Sequence, residues 1–358
     1  MRHPPSTPSK GSTPAPRAWV VLGATLAVLS GCGPRVVYVE RGPQAYYQTA
    51  FPMHDASEQL RDAFRSLRHV VYSAEYQTYV FPPEEGLTEG DLVDASALDR
   101  ASAKIDDVES KRGTAIVLAR AGHRVALVTN DHVVRFPPIR INYFEQDRTL
   151  WPRSARRVAS VSVRSREWGR LQGHPEVGDI RVLARDSAND LAIFEVRLPE
   201  RSPVGRFVPL PAPPGDPRRL SWGSFVYVLG YPRGYAMVTR AIVSDPNRDQ
   251  RGGFLTDGMW NEGISGGAIL AVRGDGGGLE WIGITRAGAG SREVRLQPLE
   301  PDPPEEDFGI LYEGPIFAEP AIRIQYGITF SVPMTAVRAF LDDHEVLLRR
   351  HGYDLRRF

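Results

Sequence analysis

The stretch Asn261-Glu262-Gly263-Ile264-Ser265-Gly266-Gly267-Ala268-Ile269-Leu270 decides how the rest of this chain is interpreted. It places one serine among three glycines, and glycine permits tight turns and close backbone approaches that other residues resist. Strand-like runs lie on both sides, so the sequence predicts that Ser265 sits on a tight loop carried by a sheet. A serine nucleophile needs such a mount, but it also needs a general base and an orienting carboxylate.

Two residues elsewhere in the chain meet that need. His132 follows an apolar run that ends at Thr129, and Asp190 directly precedes the apolar run that begins at Leu191. A histidine can take the proton of a serine hydroxyl near neutral pH, and a half-buried carboxylate can hold its tautomer and stabilise the imidazolium. A structural histidine, a strand-start cap and an ordinary turn serine remain the alternative interpretations of these three residues.

These and other motifs, in their order along the chain, resemble the trypsin-like serine peptidases, in particular the HtrA/DegP-like branch. The resemblance extends from about Val70 to about Leu341. The motifs that carry it are Gly113-Thr114-Ala115, Thr129-Asn130-Asp131-His132-Val133-Val134, Asn189-Asp190-Leu191-Ala192, Gly230-Tyr231-Pro232-Arg233-Gly234, Thr256-Asp257, Asn261 to Gly267, Ile282-Gly283-Ile284 and Ile328-Thr329-Phe330-Ser331-Val332-Pro333.

The resemblance implies an all-β fold of two packed six-stranded β-barrels, followed by a C-terminal helix. Many short β-rich runs separated by Gly/Pro turns independently favour a barrel or a sandwich. The resemblance assigns His132 as base, Asp190 as orienting residue and Ser265 as nucleophile. It also implies an oxyanion hole made by the backbone N–H groups of Gly263 and Ser265, which would stabilise the tetrahedral intermediate.

Substrate recognition is implied by the same resemblance. A peptide would pair as an extra strand with an edge near Ile282, Gly283, Ile284 and Thr285. Met259 falls where the family places the floor of the specificity pocket, which predicts an apolar residue before the cleaved bond.

Three features depart from the family pattern. Ile264 stands where an Asn or Asp is usual, and a β-branched residue is expected to resist the oxyanion-loop conformation. Residues 289–325 form a proline-rich, acidic insertion, interpreted as irregular and placed where it could cover the cleft as a lid. We expect no PDZ domain after the peptidase domain.

The first residues are typical of an export signal. Basic residues precede a short apolar run from Ala18 to Leu29, and Leu29-Ser30-Gly31-Cys32 resembles the bacterial lipobox, in which the cysteine is lipidated. Cys32 is the only cysteine, and Gly33 stands where an aspartate would favour inner-membrane retention. We therefore expect an exported lipoprotein anchored in the bacterial outer membrane and facing the periplasm. An ordinary signal peptide with an incidental cysteine remains the alternative.

The predicted organisation follows from these segments. Residues 1–31 are the lipoprotein signal peptide, 32–54 a spacer, 55–345 the peptidase domain with insertions at 82–111 and 289–325, and 346–358 a C-terminal tail. A helix is predicted from Asp55 and another from Pro333.

Composition limits the classes of partner. The formal charge of the 358-residue chain is +1, and cleavage before Cys32 removes three basic residues, so the mature chain is close to neutral. This argues against a nucleic-acid partner. The chain has no zinc-binding His-Glu motif and no clustered cysteines, so we expect neither a metal nor another cofactor.

Two functions follow from the sequence. The first is a serine endopeptidase of the cell envelope that works through an acyl-enzyme, with polypeptide substrates such as misfolded envelope proteins. The second is a non-catalytic peptide-binding or scaffold lipoprotein that keeps the peptidase fold. The sequence leaves the physiological substrate and the oligomeric state open.

Overall fold

Two β-sheets make up most of this protein in the computed structural model. The structure describes residues 45–52, 55–144, 147, 152–201, 206–259, 261–298 and 316–355. All of them belong to the unit Pro43–Phe358. The predicted signal peptide, Cys32 and most of the predicted spacer lie outside the described residues.

The described elements are thirteen strands and three α-helices. The strands are β1 (Leu67–Val80), β2 (Ala103–Ala121), β3 (Arg124–Thr129), β4 (Ile139–Tyr143), β5 (Val158–Leu171), β6 (Arg181–Asp186), β7 (Leu191–Arg197), β8 (Phe225–Gly230), β9 (Met237–Asp245), β10 (Leu255–Thr256), β11 (Ala268–Val272), β12 (Leu279–Pro298) and β13 (Ile316–Pro333). The helices are α1 (Ser57–Phe64), α2 (Met334–Asp343) and α3 (Glu345–Arg350).

The strands divide into two antiparallel sheets along the sequence. The first is a seven-stranded sheet with the order β4-β5-β1-β2-β3-β7-β6, and the second is a closed barrel with the order β10-β13-β12-β11-β8-β9. The predicted all-β, trypsin-like class with a C-terminal helix is confirmed. The count differs in the first sheet, which curls with seven strands, whereas the barrel has the expected six.

Apolar side chains fill three places that together hold the sheets in position. One cluster lies inside the first sheet and includes Val117, Leu127 and Phe194. A second lies inside the barrel and includes Val228, Ile269 and Ile282. The largest joins the two sheets to α2, with Ile116, Leu229, Trp281, Met334 and Phe340 among its members. Because α2 packs on β12 and β13 and buries Met334, Val337 and Phe340, its predicted helical stripe contributes to the core.

Both predicted insertions prove to be partly regular strand. In the segment 82–111, residues 103–111 pair with β1 as the first half of β2. In the segment 289–325, residues 289–298 pair with residues 316–325 as the outer half of the β12–β13 hairpin. The expectation that residues 289–325 are irregular was therefore wrong for both ends of that segment, and the C-terminal part of 82–111 is strand as well. The acidic, proline-rich centre at 299–315 lies outside the described residues.

The C-terminal segment packs onto the domain although the sequence suggested a tail from residue 346. Leu348 and Tyr353 are fully buried in the largest core cluster. The Tyr353 hydroxyl donates to Glu195 Oε2 over 2.7 Å, and Glu195 itself lies on β7 with 7% of its surface exposed. Residues 346–355 are thus part of the folded domain.

None of the helices in the described residues has the length and apolar character that a membrane-spanning segment needs.

The Tyr353–Glu195 contact gives a test of the C-terminal anchor. Tyr353→Phe keeps the ring but removes the hydroxyl, so the buried carboxylate of Glu195 loses a donor. We expect the free energy of unfolding to fall by about 1–3 kcal/mol, measured by urea denaturation. Val346→Ala is the control, because Val346 is exposed and its loss should change stability by about 0.5 kcal/mol or less. Equal stability of the two variants would show that the segment contributes no anchor.

Candidate active site

His132 sits on a short, firmly held turn at the end of β3. The turn spans Asp131–Val133, and Asp131 is 1% exposed. Its carboxylate accepts from Ser187 Oγ over 2.7 Å and pairs with Arg135 Nε at 3.3 Å. Because the residue before it is fixed in this way, the backbone of His132 has a defined position while its side chain stays partly exposed.

The carboxylate of Asp190 meets His132 from the other side. His132 Nδ1 lies 2.8 Å from Asp190 Oδ2 and 3.0 Å from Oδ1, and the His132 backbone N–H donates to Oδ1 over 3.0 Å. Asp190 has a φ of 57°, in the left-handed region that few residues other than glycine adopt. Asn130 Nδ2 donates to the Asp190 carbonyl over 2.9 Å, which helps to hold that conformation.

Arg286 is a member of this group that the sequence interpretation missed. Its Nε lies 3.4 Å from Asp190 Oδ2, so the carboxylate faces the imidazole and a guanidinium together. Arg286 directly follows Thr285 on β12. Its position after the Ile282-Gly283-Ile284 motif was the only sequence feature that placed it near the predicted site. Nothing in the local pattern, however, indicates that this side chain turns towards Asp190.

The serine loop (residues 261–267) lies against the first sheet, beside the turn Asp131–Val133. A Cβ added to Gly113 would lie 2.6 Å from Val133 Cγ1 and 3.2 Å from the carbonyl oxygen of Ser265. A side chain at Gly266 would collide with the carbonyl of Thr114 and with Thr129 Oγ1. Val133 and the serine loop therefore pack on the same stretch of β2. Glycine is required at positions 113 and 266 because a side chain there would collide with these neighbours.

Thr114 on β2 makes the main hydrogen bonds between the two sheets at this site. Its backbone N–H donates to the Ser265 carbonyl over 2.7 Å, and its Oγ1 donates to the Gly263 carbonyl over 2.8 Å. The same Oγ1 accepts from the Tyr231 N–H over 2.9 Å, and the Thr114 carbonyl accepts from Thr129 Oγ1 over 2.7 Å. One fully buried residue thus binds the serine loop, the Tyr231 loop and β3 together.

The remaining carbonyls of the serine loop are held from the other side. The Glu262 carbonyl accepts from the Arg233 N–H over 2.6 Å, and the Ile264 carbonyl accepts from Thr285 Oγ1, also over 2.6 Å. Neither the N–H of Gly263 nor that of Ser265 donates to a protein acceptor among the described residues. Because a trans peptide points its C=O and N–H in opposite directions, these two N–H groups face away from the anchored carbonyls.

Ile264 does not strain the loop as the sequence suggested. Its side chain is 3% exposed and packs inside the barrel with Val228, Phe254 and Ile282. Its φ is not among the positive values that the described residues adopt. An apolar residue thus anchors the loop by burial at a position where the family usually has a polar one.

The hydroxyl of Ser265 donates to the backbone carbonyl of Arg286 over 3.1 Å. No hydrogen bond joins it to His132 in the described structure. The structure therefore brings His132 and Asp190 into direct contact and places the Ser265 loop beside them, with the hydroxyl bonded to β12.

The residues predicted to bind substrate differ in exposure and in strand pairing. Met259 is 65% exposed, so its predicted place at a pocket floor stays a prediction. Gly283 and Ile284 pair with β11 on one side and with β13 on the other. The prediction that Ile282 to Thr285 form an open edge was therefore wrong. Within the described residues, β12 is paired only with β13 from Arg286 onward.

The chain was compared with protein families and with curated proteins. Residues 113–279 match the family described as the trypsin-like peptidase domain. No curated protein matches the chain.

Solved structures similar to the chain include HtrA-type proteases. One is a variant of the HtrA-type protease AlgW with a decapeptide, at 17% identity and a TM-score of 0.42, covering 84% of this chain and 68% of that one. Another is AlgW with a tripeptide, at 16% identity and a TM-score of 0.41, covering 84% of this chain and 65% of that one. The chain thus spans about two thirds of the length of these proteins.

The matched residues 113–279 contain His132, Asp190 and Ser265. The predicted trypsin-like recognition is confirmed, and HtrA-type proteases are among the structures that the chain resembles.

The role of Thr114 can be tested by removing its hydroxyl. Thr114→Val keeps the shape but leaves the Gly263 carbonyl and the Tyr231 N–H without partners. Each buried unpaired group costs about 1–3 kcal/mol, so with two such groups we expect the free energy of unfolding to fall by about 2–6 kcal/mol in urea denaturation. Thr114→Ser keeps the hydroxyl and should lose about 1 kcal/mol. If valine proved as well tolerated as serine, Thr114 would not hold the two sheets together.

Proposed function

We propose that this chain is a serine endopeptidase in which His132 is the general base, Asp190 orients it and Ser265 is the nucleophile. The observation that carries the proposal is the contact of His132 Nδ1 with both oxygens of Asp190, at 2.8 and 3.0 Å, beside a serine loop with two unused N–H groups. A base held by a carboxylate, next to a serine in a trypsin-like peptidase domain, supports acyl-transfer chemistry.

The proton transfer follows from the tautomer that the carboxylate selects. With Nδ1–H donating to Asp190, Nε2 of His132 is the acceptor that can take the Ser265 proton. As that proton moves, Asp190 stabilises the positive imidazolium. The Ser265 oxygen then attacks the peptide carbonyl, and His132 returns the proton to the leaving amine. Water repeats the sequence on the acyl-enzyme and releases the second product.

The N–H groups of Gly263 and Ser265 are suited to stabilise the tetrahedral oxyanion. Both point away from carbonyls that are already bonded to the protein, so the loop need not reorganise to offer them. Preorganised donors of this kind contribute roughly 10²–10³ each in rate.

The hydroxyl of Ser265 must leave the Arg286 carbonyl to react. A rotation about χ1 between staggered wells is enough to redirect Oγ, and such rotations are fast compared with turnover. The proposal therefore treats the bond to Arg286 as a resting position of the nucleophile.

A peptide substrate would pair with the part of β12 that begins at Arg286. This part has no partner on its β11 side among the described residues, and main-chain pairing with such an edge binds an extended peptide. Since it starts at the residue whose carbonyl bonds Ser265, a peptide there would lie next to the nucleophile. Met259 remains the proposed floor of the pocket for an apolar side chain.

The placement of the enzyme is also a proposal. The Leu29-Ser30-Gly31-Cys32 motif supports lipidation at Cys32, export and attachment to the outer membrane facing the periplasm. Polypeptides of the cell envelope would then be the substrates within reach.

Labelling of the nucleophile tests the proposed activity. Ser265→Ala removes the attacking oxygen, so we expect loss of fluorophosphonate labelling and a fall in peptide hydrolysis of about 10⁴-fold or more. Ser102→Ala is the matched control, because Ser102 is exposed and its hydroxyl bonds only the Val80 carbonyl. It should label and hydrolyse like the unsubstituted chain. Equal labelling of the Ser265→Ala form would overturn the assignment.

A second candidate function is favoured by one observation. Because Ser265 Oγ bonds the Arg286 carbonyl instead of His132, the fold could serve as a peptide-binding lipoprotein without turnover. A folded, unsubstituted chain that binds unfolded peptide yet is never labelled by the probe would establish this alternative. Labelling that depends on Ser265 would exclude it.

The proposed anchor has its own test. In cells fed an alkyne fatty acid, the chain should become labelled and enter the detergent phase on Triton X-114 partitioning. Cys32→Ala removes the only thiol, so that chain should stay unlabelled and in the aqueous phase. Labelling that persists after the substitution would show that Cys32 is not the lipidation site.

A further inference from the structure

A cavity of about 710 Å³ lies on the far side of the Tyr231 loop, outside the proposed catalytic group. It opens between α1, the start of β1 and the residues around β9. Volumes of this order are typical of sites for small ligands. The charged and large apolar side chains that line it include Arg61, Arg65, Arg68, Phe64, Arg206 and Val238.

Arg68 is the unusual member, because it is buried without a countercharge. It is 6% exposed, and no described carboxylate oxygen lies within 4.0 Å of its guanidinium. Backbone carbonyls of Arg65, Leu67 and Arg206 accept from its two terminal nitrogens. Its Nε is buried and has no hydrogen-bond partner. The guanidinium also lies over the Phe207 ring, 4.2 Å from its centroid, but carbonyls and a ring compensate a buried charge only in part, and proteins rarely bury one without a paired anion.

Two of the other arginines that line the cavity are each paired with a carboxylate. Arg206 pairs with Glu176 at 2.7 Å and Arg65 with Asp62 at 3.1 Å, so these carboxylates do not neutralise Arg68. The pKa of Arg68 is lowered to about 10, mainly by burial; Tyr231 opposes this shift and the positive charge of Arg206 adds to it. His174, which also lines the cavity, has its pKa lowered by burial and then by both arginines. An anion bound here would relieve these repulsions.

Part of the cavity wall is apolar. Leu60 and Phe64 come from α1, while Ala236 and Val238 lie across the opening. The Phe64 ring packs edge-on against Tyr231, with centroids 5.4 Å apart. The cavity therefore combines one buried cation with an apolar stretch of wall. That combination fits a ligand with a single charged end and a hydrocarbon body.

We propose that this cavity is a binding site for an amphiphilic carboxylate, with the carboxylate at Arg68 and the hydrocarbon chain along Phe64 and Val238. The site is separate from the proposed peptidase function and does not depend on it. A fatty acid and the C-terminal carboxylate of an apolar peptide share this chemistry, and the experiment distinguishes them.

Calorimetric titration of the full-length chain tests the site with defined probes. We expect decanoate to bind at one site, whereas acetate, which lacks the chain, and decanamide, which lacks the charge, should bind at least tenfold more weakly. N-acetyl-Leu-Phe and its amide form the second pair. Tighter binding of decanoate than of the peptide acid assigns a fatty acid, and the reverse order assigns a peptide C-terminus. Equal affinities of decanoate and decanamide would overturn the proposal.

Variants locate the site. Arg68→Gln should weaken decanoate binding about ten- to a hundredfold, because the charged partner is lost. Since that buried substitution could unfold the chain, Val238→Glu gives a second test on an exposed wall, where a new carboxylate repels the ligand. Met237→Glu adds the same charge at the adjacent position, which does not line the cavity. We expect Val238→Glu to weaken binding at least tenfold and Met237→Glu to change it less than threefold; equal effects would refute the assigned site.

Discussion

The four hydrogen bonds of Thr114 are the constraint on which the site depends. This residue belongs to the first sheet, yet it bonds Gly263, Ser265 and Tyr231, all of which belong to the barrel side. Apolar packing between the sheets is non-directional and sets their distance only approximately. The bonds to Thr114 fix the orientation as well, because each joins one donor to one acceptor in a dry interior. They hold the carbonyls of Gly263 and Ser265, while the bonds from Arg233 and Thr285 to the neighbouring carbonyls orient the N–H groups of the loop.

Core packing and site geometry are coupled through the serine loop. Ile264 faces the barrel interior, while the residues on either side of it present their N–H groups outward. A side chain at Gly230 would collide with Ile264 Cδ1 at 2.7 Å, so this glycine leaves room for the buried isoleucine. The loop is thus anchored by burial at its centre and by carbonyl hydrogen bonds along its length. The stability of the barrel and the shape of the site are set by the same contacts.

The sequence predicted the parts of this structure that have a short-range signature. Apolar runs placed β3 and β7, and the residues that follow and precede them, His132 and Asp190, meet in space as the motifs suggested. The outer half of β2 was missed because residues 103–110 are mostly exposed, so they carry no hydrophobic alternation. The flanks of 289–325 were missed because pairing with a partner strand, and not local propensity, makes them strands. Arg286 was missed because its contact depends on a register shift between Thr285 and Ala287.

The left-handed backbone of Asp190 limits which residues can replace it. After glycine, asparagine and aspartate are the residues that accept this conformation most readily. A single base change converts an aspartate codon into an asparagine codon, and the one amide oxygen would still accept from the His132 backbone N–H. The amide nitrogen, which is a donor, would replace the oxygen that faces His132 Nδ1 and Arg286 Nε, so those two contacts would be lost. One base change at this position therefore removes the charge that faces the imidazole without straining the backbone, whereas the crowded glycines of the serine loop accept no comparable substitution.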